Sequence, residues 1–353
     1  MRHLILFFSA LFLLTSCETE IEDFKTENVS SAIVVSGEIS NVDGPYNVRL
    51  NYVGAYSPYD ATLFSGQPIT DANVRVIDGN GKETAYYEKN KGYYLSPPGF
   101  KAVIGQKYKL RIRLLDGKII ESAFSTINPA PELAEFSYTF KDAAKVENMR
   151  FPLKASIKDS KDVENYYFIK RQDFRQFLLT CPNPPPPPAP VPACNCLCWQ
   201  APLNTQPYLV NDFLQNGKNL AIELGQLPYE DLTEWVVQLE AYSVSKEAYT
   251  YWKRLEDQRQ ISGGIFDKVP AQVIGNLKCL SDPSQEVLGY FMVGGKTARR
   301  LNVDRFGGIP AEAYQKLLFY VDFNNIRYKD IPIWNCKDAA FIKYNLGYSL
   351  PPL

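Results

Sequence analysis

Tyr108, Leu110, Ile112 and Leu114 are each separated by one polar residue. A spacing of two gathers apolar side chains on one face only when the backbone is extended. The same pattern recurs upstream. Val48, Leu50 and Tyr52 alternate with polar neighbours; Ala72, Val74 and Val76 share one side of the run Ile69 to Ile77; and Ile33 to Ile39 is rich in β-branched residues. Between these runs lie Asp43-Gly44-Pro45, Asp78-Gly79-Asn80-Gly81 and Asp116-Gly117, where Gly and Asn accept the positive φ that tight turns require. Short strands with turns between them, over residues 32–128, predict a β-sandwich. The 23 Tyr and 20 Phe of the chain favour the same pleated, half-buried surfaces.

The start of the chain sets the compartment. The apolar run Leu4 to Leu14 falls short of the roughly twenty residues a membrane-spanning helix needs. With Arg2 before it and Leu14-Thr15-Ser16-Cys17 closing it, it reads as a signal peptide over residues 1–16. It resembles a bacterial lipoprotein signal, in which Leu-x-Ser/Ala/Gly-Cys precedes cleavage. That resemblance implies lipid on Cys17 and a mature chain held to a membrane by it. Residues 17–31 form an acidic tether beginning Glu18-Thr19-Glu20-Ile21-Glu22-Asp23. Acidic residues just after a lipidated cysteine resemble signals for export to the outer face of the cell, so the expected location is the outer membrane, facing outward.

Several chemistries are excluded by what is missing. The sole histidine is His3, inside the signal, so the mature chain has no imidazole for a Ser-His or Cys-His pair or a His-ligated metal. A net charge of -1 provides no basic footprint for nucleic acid. The chain is read as a non-enzyme with no cofactor. Beyond Cys17 there are six cysteines, Cys181, Cys194, Cys196, Cys198, Cys279 and Cys336. An even number in an exported chain points to disulfides, whose pairing the sequence does not choose. Cys279 or Cys336 is expected to pin the Cys-rich insert to the body. Cys181 and the Cys194-x-Cys196-x-Cys198 cluster could instead ligate zinc, although the spacing is tighter than structural zinc sites prefer.

Asn128-Pro129-Ala130-Pro131 marks a boundary, since two prolines stiffen an extended connection. The second region, 129–353, opens with strands at Phe136–Phe140, Leu153–Ile157 and Tyr166–Ile169, followed by an insert at about 180–200 that carries Pro184 to Pro188. A proline run takes an extended polyproline path and cannot enter a central strand. Further strands are read at Leu220–Leu224 and Trp235–Tyr242, then a helix from about Lys246 to Gln260 with Ser245 as its cap. Tyr251 and Trp252 lie on its apolar stripe, as core or as a partner-binding face. Val287 to Gly295 is read as a buried strand ending in a glycine turn, followed by a small basic cluster, Lys296, Arg299 and Arg300, as a solvated turn or an anion contact. Gly294-Gly295-Lys296-Thr297 is no phosphate-binding loop, because position 290 is Tyr rather than the required Gly.

Two resemblances sharpen this outline. Pro68-Ile69-Thr70-Asp71-Ala72-Asn73-Val74, then Gly92-Tyr93-Tyr94, then Gly105 with Tyr108 and Leu110, resemble in order the transthyretin-like, carboxypeptidase-regulatory type of immunoglobulin-like sandwich. Ala248-Tyr249-Thr250-Tyr251-Trp252 through Asp257-Gln258, Gly289 to Gly295, and Asn165-Tyr166-Tyr167 resemble domain-of-unknown-function family 4249. That second resemblance implies a mainly β outer-membrane lipoprotein associated with TonB-dependent transporters, as a ligand-capturing or pore-covering accessory. A surface adhesin or glycan-binding module is the alternative.

Overall fold

The computed structural model describes residues 32–54, 66–161, 163–179, 196–200, 206–229, 234–259 and 273–323. Nine strands precede the proline connection. They are β1 (Ile33–Ile39), β2 (Asn47–Tyr52), β3 (Asn73–Asp78), β4 (Glu83–Ala85), β5 (Tyr87–Asn90), β6 (Tyr93–Leu95), β7 (Lys107–Arg113), β8 (Ile119–Ser122) and β9 (Ser125–Thr126). Seven follow it: β10 (Glu132–Tyr138), β11 (Arg150–Lys158), β12 (Tyr166–Leu179), β13 (Cys196–Gln200), β14 (Tyr208–Asn211), β15 (Asn219–Pro228) and β16 (Trp235–Val244). Helix α1 (Lys246–Arg259) comes next, then β17 (Leu277–Cys279), β18 (Val287–Val293), β19 (Gly295–Val303) and helix α2 (Ala311–Phe323).

Four sheets result. Sheet I has the order β18-β1-β2-β6-β5; sheet II is β17-β8-β7-β3-β4 with β9 beside β7; sheet III is β10-β11-β15; sheet IV is β13-β12-β16-β19 with β14 also on β12. Sheets I and II enclose one core. Ile33, Val35, Val48, Leu50 and Tyr94 meet Val74, Val76, Leu110, Ile112 and Ile120 across it. Burying each such side chain stabilises the fold by about 2 kcal/mol. The outline of a sandwich over these residues is what the alternation predicts, and the mainly β class holds for the described residues. The Asp78–Gly81 hairpin also forms: Asp78 Oδ1 accepts from the Asn80 and Lys82 amides at 2.9 Å each, and Gly81 takes φ 85°. Two of the motif pieces meet in space, since Tyr94 Oη accepts from the Ala72 amide and donates to the Ile69 carbonyl, both at 3.0 Å.

A boundary at residues 128/129 does not enclose this first sandwich. Two strands from beyond residue 270 complete it. β18 pairs parallel with β1, from Ile33↔Val287 to Ile39↔Val293, and β17 pairs with β8. Phe291 and Val293 of β18 and Leu277 and Cys279 of β17 lie in its core. A parallel pair needs a crossover, and here it runs through the rest of the first sandwich and much of the second.

Sheets III and IV enclose the second core. Phe151, Leu153, Ile157, Ile222 and Leu224 face Ile169, Val237, Leu239, Ala241 and Val303. Helix α2 adds Ala313, Leu317 and Val321, whose spacing of four places them on one stripe. Helix α1 starts as expected, with the Ser245 hydroxyl accepting from the Ala248 amide at 3.2 Å.

Gly294-Gly295 does not turn the chain back. It passes the strand from sheet I to sheet IV, where β19 pairs with β16 from Ser243↔Gly295 onward. The reason for glycine is crowding: a Cβ on Gly295 would lie 2.2 Å from the Asn128 carbonyl oxygen and 2.7 Å from the Ala130 nitrogen. The passages at 128–131 and 293–295 therefore cross in contact. Among the described residues no helix is long and apolar enough to cross a membrane.

Candidate functional site

Three candidate residues of the sequence, Tyr251, Lys296 and Arg300, come together at the junction between the sandwiches. Strand β16 presents Val237, Leu239 and Ala241 to the second core, so Gln238, Glu240 and Tyr242 occupy its opposite face by alternation. Register sets Lys170 of β12 beside Glu240 on one side and Ala298 of β19 on the other, with Lys296 beside Tyr242. From the first sandwich, Glu38 of β1 reaches into this row.

The contacts form one chain. Lys170 Nζ donates to Glu38 Oε2 at 2.5 Å, and the Tyr242 hydroxyl lies 3.0 Å from Glu38 Oε1 and 3.1 Å from Glu240 Oε2, donating to one at a time. Lys296 Nζ pairs with Glu240 Oε1 at 2.7 Å. Arg300 Nε donates to Gln238 Oε1 at 2.9 Å, and Gln238 Nε2 donates to Glu240 Oε1 at 3.2 Å. Both lysine ammoniums also sit over the Tyr242 ring, at 5.2 Å for Lys170 and 5.8 Å for Lys296, a favourable arrangement with the ring's negative face. The Lys296 amide donates to Asn41 Oδ1, and the Thr297 hydroxyl donates to the Pro131 carbonyl at 2.7 Å.

Burial works against the charge on Glu38, yet Lys170, the Tyr242 hydroxyl and Lys296 outweigh it and hold this carboxyl below the usual glutamate value. Burial, followed by the Glu38 and Glu240 carboxylates, pushes the Tyr242 hydroxyl well above its ordinary value. A carboxylate held ionised is not a proton donor near neutrality, and each carboxylate already has an ammonium partner. Lys170 and Lys296 match Glu38 and Glu240 one for one, and Arg300 ends the row on the Gln238 side-chain amide. The chemistry of this set is that of a clasp between two bodies.

Beside the clasp lies an aromatic cluster. Tyr251 of α1 stacks on Tyr290 of β18 with centroids 4.7 Å apart, and Trp252 packs on Phe168 at 4.9 Å. Tyr242, Val244, Ala248 and Met292 complete this third core. Tyr251 is thus core, shared between β18 of the first sandwich and the helix, and Trp252 is half-buried against sheet IV.

The basic cluster is not a solvated turn. Lys296 and Arg300 lie on β19 two and six residues past Gly294 and project onto the clasp, while Arg299 falls on the other side of the strand and is exposed. Cys17, Cys181, Cys194 and Cys336 lie outside the described residues; Cys196 and Cys198 fall on β13, opposite Leu179 and Phe177 in register. Cys279 is a free thiol, buried in the first core with its sulfur 3.6 Å from the Ser281 hydroxyl. The expectation that it staples the insert is not met, because its inward position on β17 aims it into the sandwich. Among the described residues no cluster of His, Cys, Asp and Glu could hold a metal.

Sequence reasoning missed Glu38, Lys170, Glu240 and Tyr242. A signal existed: Glu240 interrupts the run Trp235-Val236-Val237-Gln238-Leu239-Glu240-Ala241-Tyr242, and a carboxylate in an otherwise buried strand requires a partner.

Two solved structures similar to this chain share little sequence with it. A trypsin-activated alpha-2-macroglobulin from Escherichia coli matches at 12% identity with a TM-score of 0.20, covering 62% of this chain and 15% of that one. A chicken interferon gamma receptor alpha chain matches at 12% identity with a TM-score of 0.16, covering 61% and 91%. Comparison with curated proteins yields no match. The family described as Domain of unknown function (DUF4249) matches residues 18–300, which is most of the chain and all of the clasp. The chain therefore belongs to the DUF4249 family.

Proposed function

We propose that the mature chain is a non-catalytic lipoprotein of the outer membrane, held by acyl chains on Cys17 and facing the cell exterior. In this reading it serves a TonB-dependent β-barrel transporter as an accessory that captures ligand or covers the pore. The observation that carries the reading is Leu14-Thr15-Ser16-Cys17 at the end of a short apolar run. Two sandwiches clasped into one body by Glu38–Lys170 and by the shared helix support a role as a cover or platform. For the barrel contact we assign the loop tip where Val163, Phe213 and Leu214 are exposed at 60, 77 and 86%. The tip is built firmly: Asn165 Nδ2 donates to the Val163 carbonyl at 2.8 Å, and Asp159 Oδ2 accepts from the Gly217 amide at 2.8 Å. Apolar side chains held out on a fixed frame favour a protein partner.

Co-purification from gently solubilised outer membrane tests this reading. Recovery with a β-barrel partner, lost in Phe213→Ser with Leu214→Ser, is the expected result; recovery of the chain alone overturns the accessory role.

One observation favours the second reading, a glycan-binding module. Tyr87 and Tyr93 are exposed on β5 and β6, and the Arg49 guanidinium lies 5.0 Å from the Tyr93 centroid. A solvent-facing aromatic pair beside a cation is the platform such modules use. Loss of surface-glycan binding in Tyr93→Ala would favour it, and absence of glycan binding by the full chain would remove it.

A further inference from the structure

Sheet II packs on sheet I through the first core, and sheet I in turn meets sheet IV through the β18 aromatics. The outer face of sheet II is therefore an end of the stack. Its composition is unlike that of the chain. Tyr108, Leu110, Ile112 and Leu114 point inward, so Lys107, Lys109, Arg111 and Arg113 all point outward along β7. Arg75 of β3 and Lys278 of β17 join them in register through Arg111 and Glu121. Against these six cations stand two carboxylates on the strands, Glu83 and Glu121, in a chain of net charge -1.

The carboxylates are already committed. Glu121 takes Lys109 at 2.5 Å and Arg111, and Glu83 takes Arg75 at 2.7 Å. Lys107, Arg113 and Lys278 are exposed, with no carboxylate within salt-bridge distance among the described residues. On the rim, Lys118 pairs with Asp116 at 3.1 Å and Asp282 lies nearby. The arginines and their two carboxylates, Glu83 and Glu121, border an open groove edged by Ile119 and Leu280. At the Arg113 end of the face two leucines stand out into solvent, Leu115 at 78% and Leu280 at 57% exposed; the Leu280 amide donates to the Ile119 carbonyl at 2.7 Å, and Leu115 lies in a turn closed by the Gly117 amide on the Leu114 carbonyl at 3.0 Å.

We infer that this face rests on an anionic, phosphate-bearing lipid surface, with the cations on headgroup phosphates and Leu115 and Leu280 entering the interface. Surplus cations bordered by projecting aliphatic side chains fit the charge and polarity gradient of a bilayer surface, which attracts basic residues and accepts apolar ones at its acyl boundary. An acidic protein partner would satisfy the cations and leave the leucines without a purpose. Reach permits the contact: the fifteen residues from Cys17 to Ala32 can extend about 50 Å. The inference takes its setting from the lipoprotein reading, and its test does not use the anchor, so the two can fail separately.

The test is sedimentation of the full-length Cys17→Ala chain with lipid vesicles. Binding is expected to phosphatidylcholine vesicles containing phosphatidylglycerol, to weaken with salt, and to be much poorer on phosphatidylcholine alone. Each of Lys107→Gln, Arg113→Gln and Lys278→Gln should weaken it about fivefold, with circular dichroism unchanged because these side chains are exposed. Leu115→Ser with Leu280→Ser should weaken it at every salt concentration. Absence of binding, equal binding to neutral vesicles, or binding indifferent to the three cation variants would overturn the inference.

Discussion

Two faces of the first sandwich carry charged networks, and they are used differently. Toward sheet IV, Glu38 enters a set with Lys170, Glu240 and Lys296 in which each carboxylate has its own lysine, Tyr242 bridges the carboxylates and Arg300 closes the row on Gln238. On the outer face of sheet II, Glu121 and Glu83 are outnumbered, and all their partners lie in the same sheet. Shielding does not distinguish them. Lys109–Glu121 is as covered as Lys296–Glu240, with side chains 16 and 11% exposed against 13 and 13%. Balance and connectivity do: a closed set joining two bodies acts as structure, and an open set with surplus charge is left to meet something else.

The largest break in that comparison comes from the crossing point rather than from a charge. Gly295→Val would drive a side chain into the backbone of Asn128 and Ala130, where nothing flexible can yield. A loss of about 3 kcal/mol or more is expected in urea unfolding, and the variant should separate into two unfolding steps as the sandwiches uncouple.

Next comes the clasp itself. Glu38→Ala leaves the part-buried Lys170 without its acceptor and Tyr242 with Glu240 as its remaining one, and should cost about 1–2 kcal/mol. Glu83→Ala removes an exposed pair with Arg75 and should cost less than about 0.5 kcal/mol. Equal losses in the two variants, measured by the same denaturant titration, would erase the distinction between the faces.

The smallest effect is in pH. The Glu38 carboxyl is held below its ordinary value in the folded chain, so the folded state binds this proton less readily than the unfolded one. Its contribution is fully present above the unfolded value, about 4.3, and is lost as pH falls through the lower folded value. Glu38→Gln should therefore be less stable at neutral pH and approach the parent chain below about pH 4. A constant difference across that range would show that Glu38 acts through packing rather than charge.

Local features of this fold are legible in the sequence, and remote ones are not. Alternation locates β1, β2 and β7, and Ser245 marks the start of α1, because strand faces and caps are decided within a few residues. Pairing of β1 with β18 joins Ile33 to Val287, and no local pattern encodes a partner about 250 residues away. Gly294-Gly295 was legible as glycine and illegible in purpose: the crowding comes from Asn128 to Ala130, far upstream. The basic cluster misled for a similar reason. Lys296 and Arg300 look solvated until Glu240 and Gln238 are brought opposite them by the register of β16.

The central claim is that this body hangs from acyl chains on Cys17, with the basic face as a weaker second contact. The most direct measurement is incorporation of labelled fatty acid into the chain in cells, together with a high-salt wash of isolated membranes. The parent chain should carry the label and survive the wash, since two or more acyl chains hold firmly, whereas Cys17→Ala should lose both. An unlabelled parent chain, or a Cys17→Ala chain that stays on salt-washed membranes, would contradict the account.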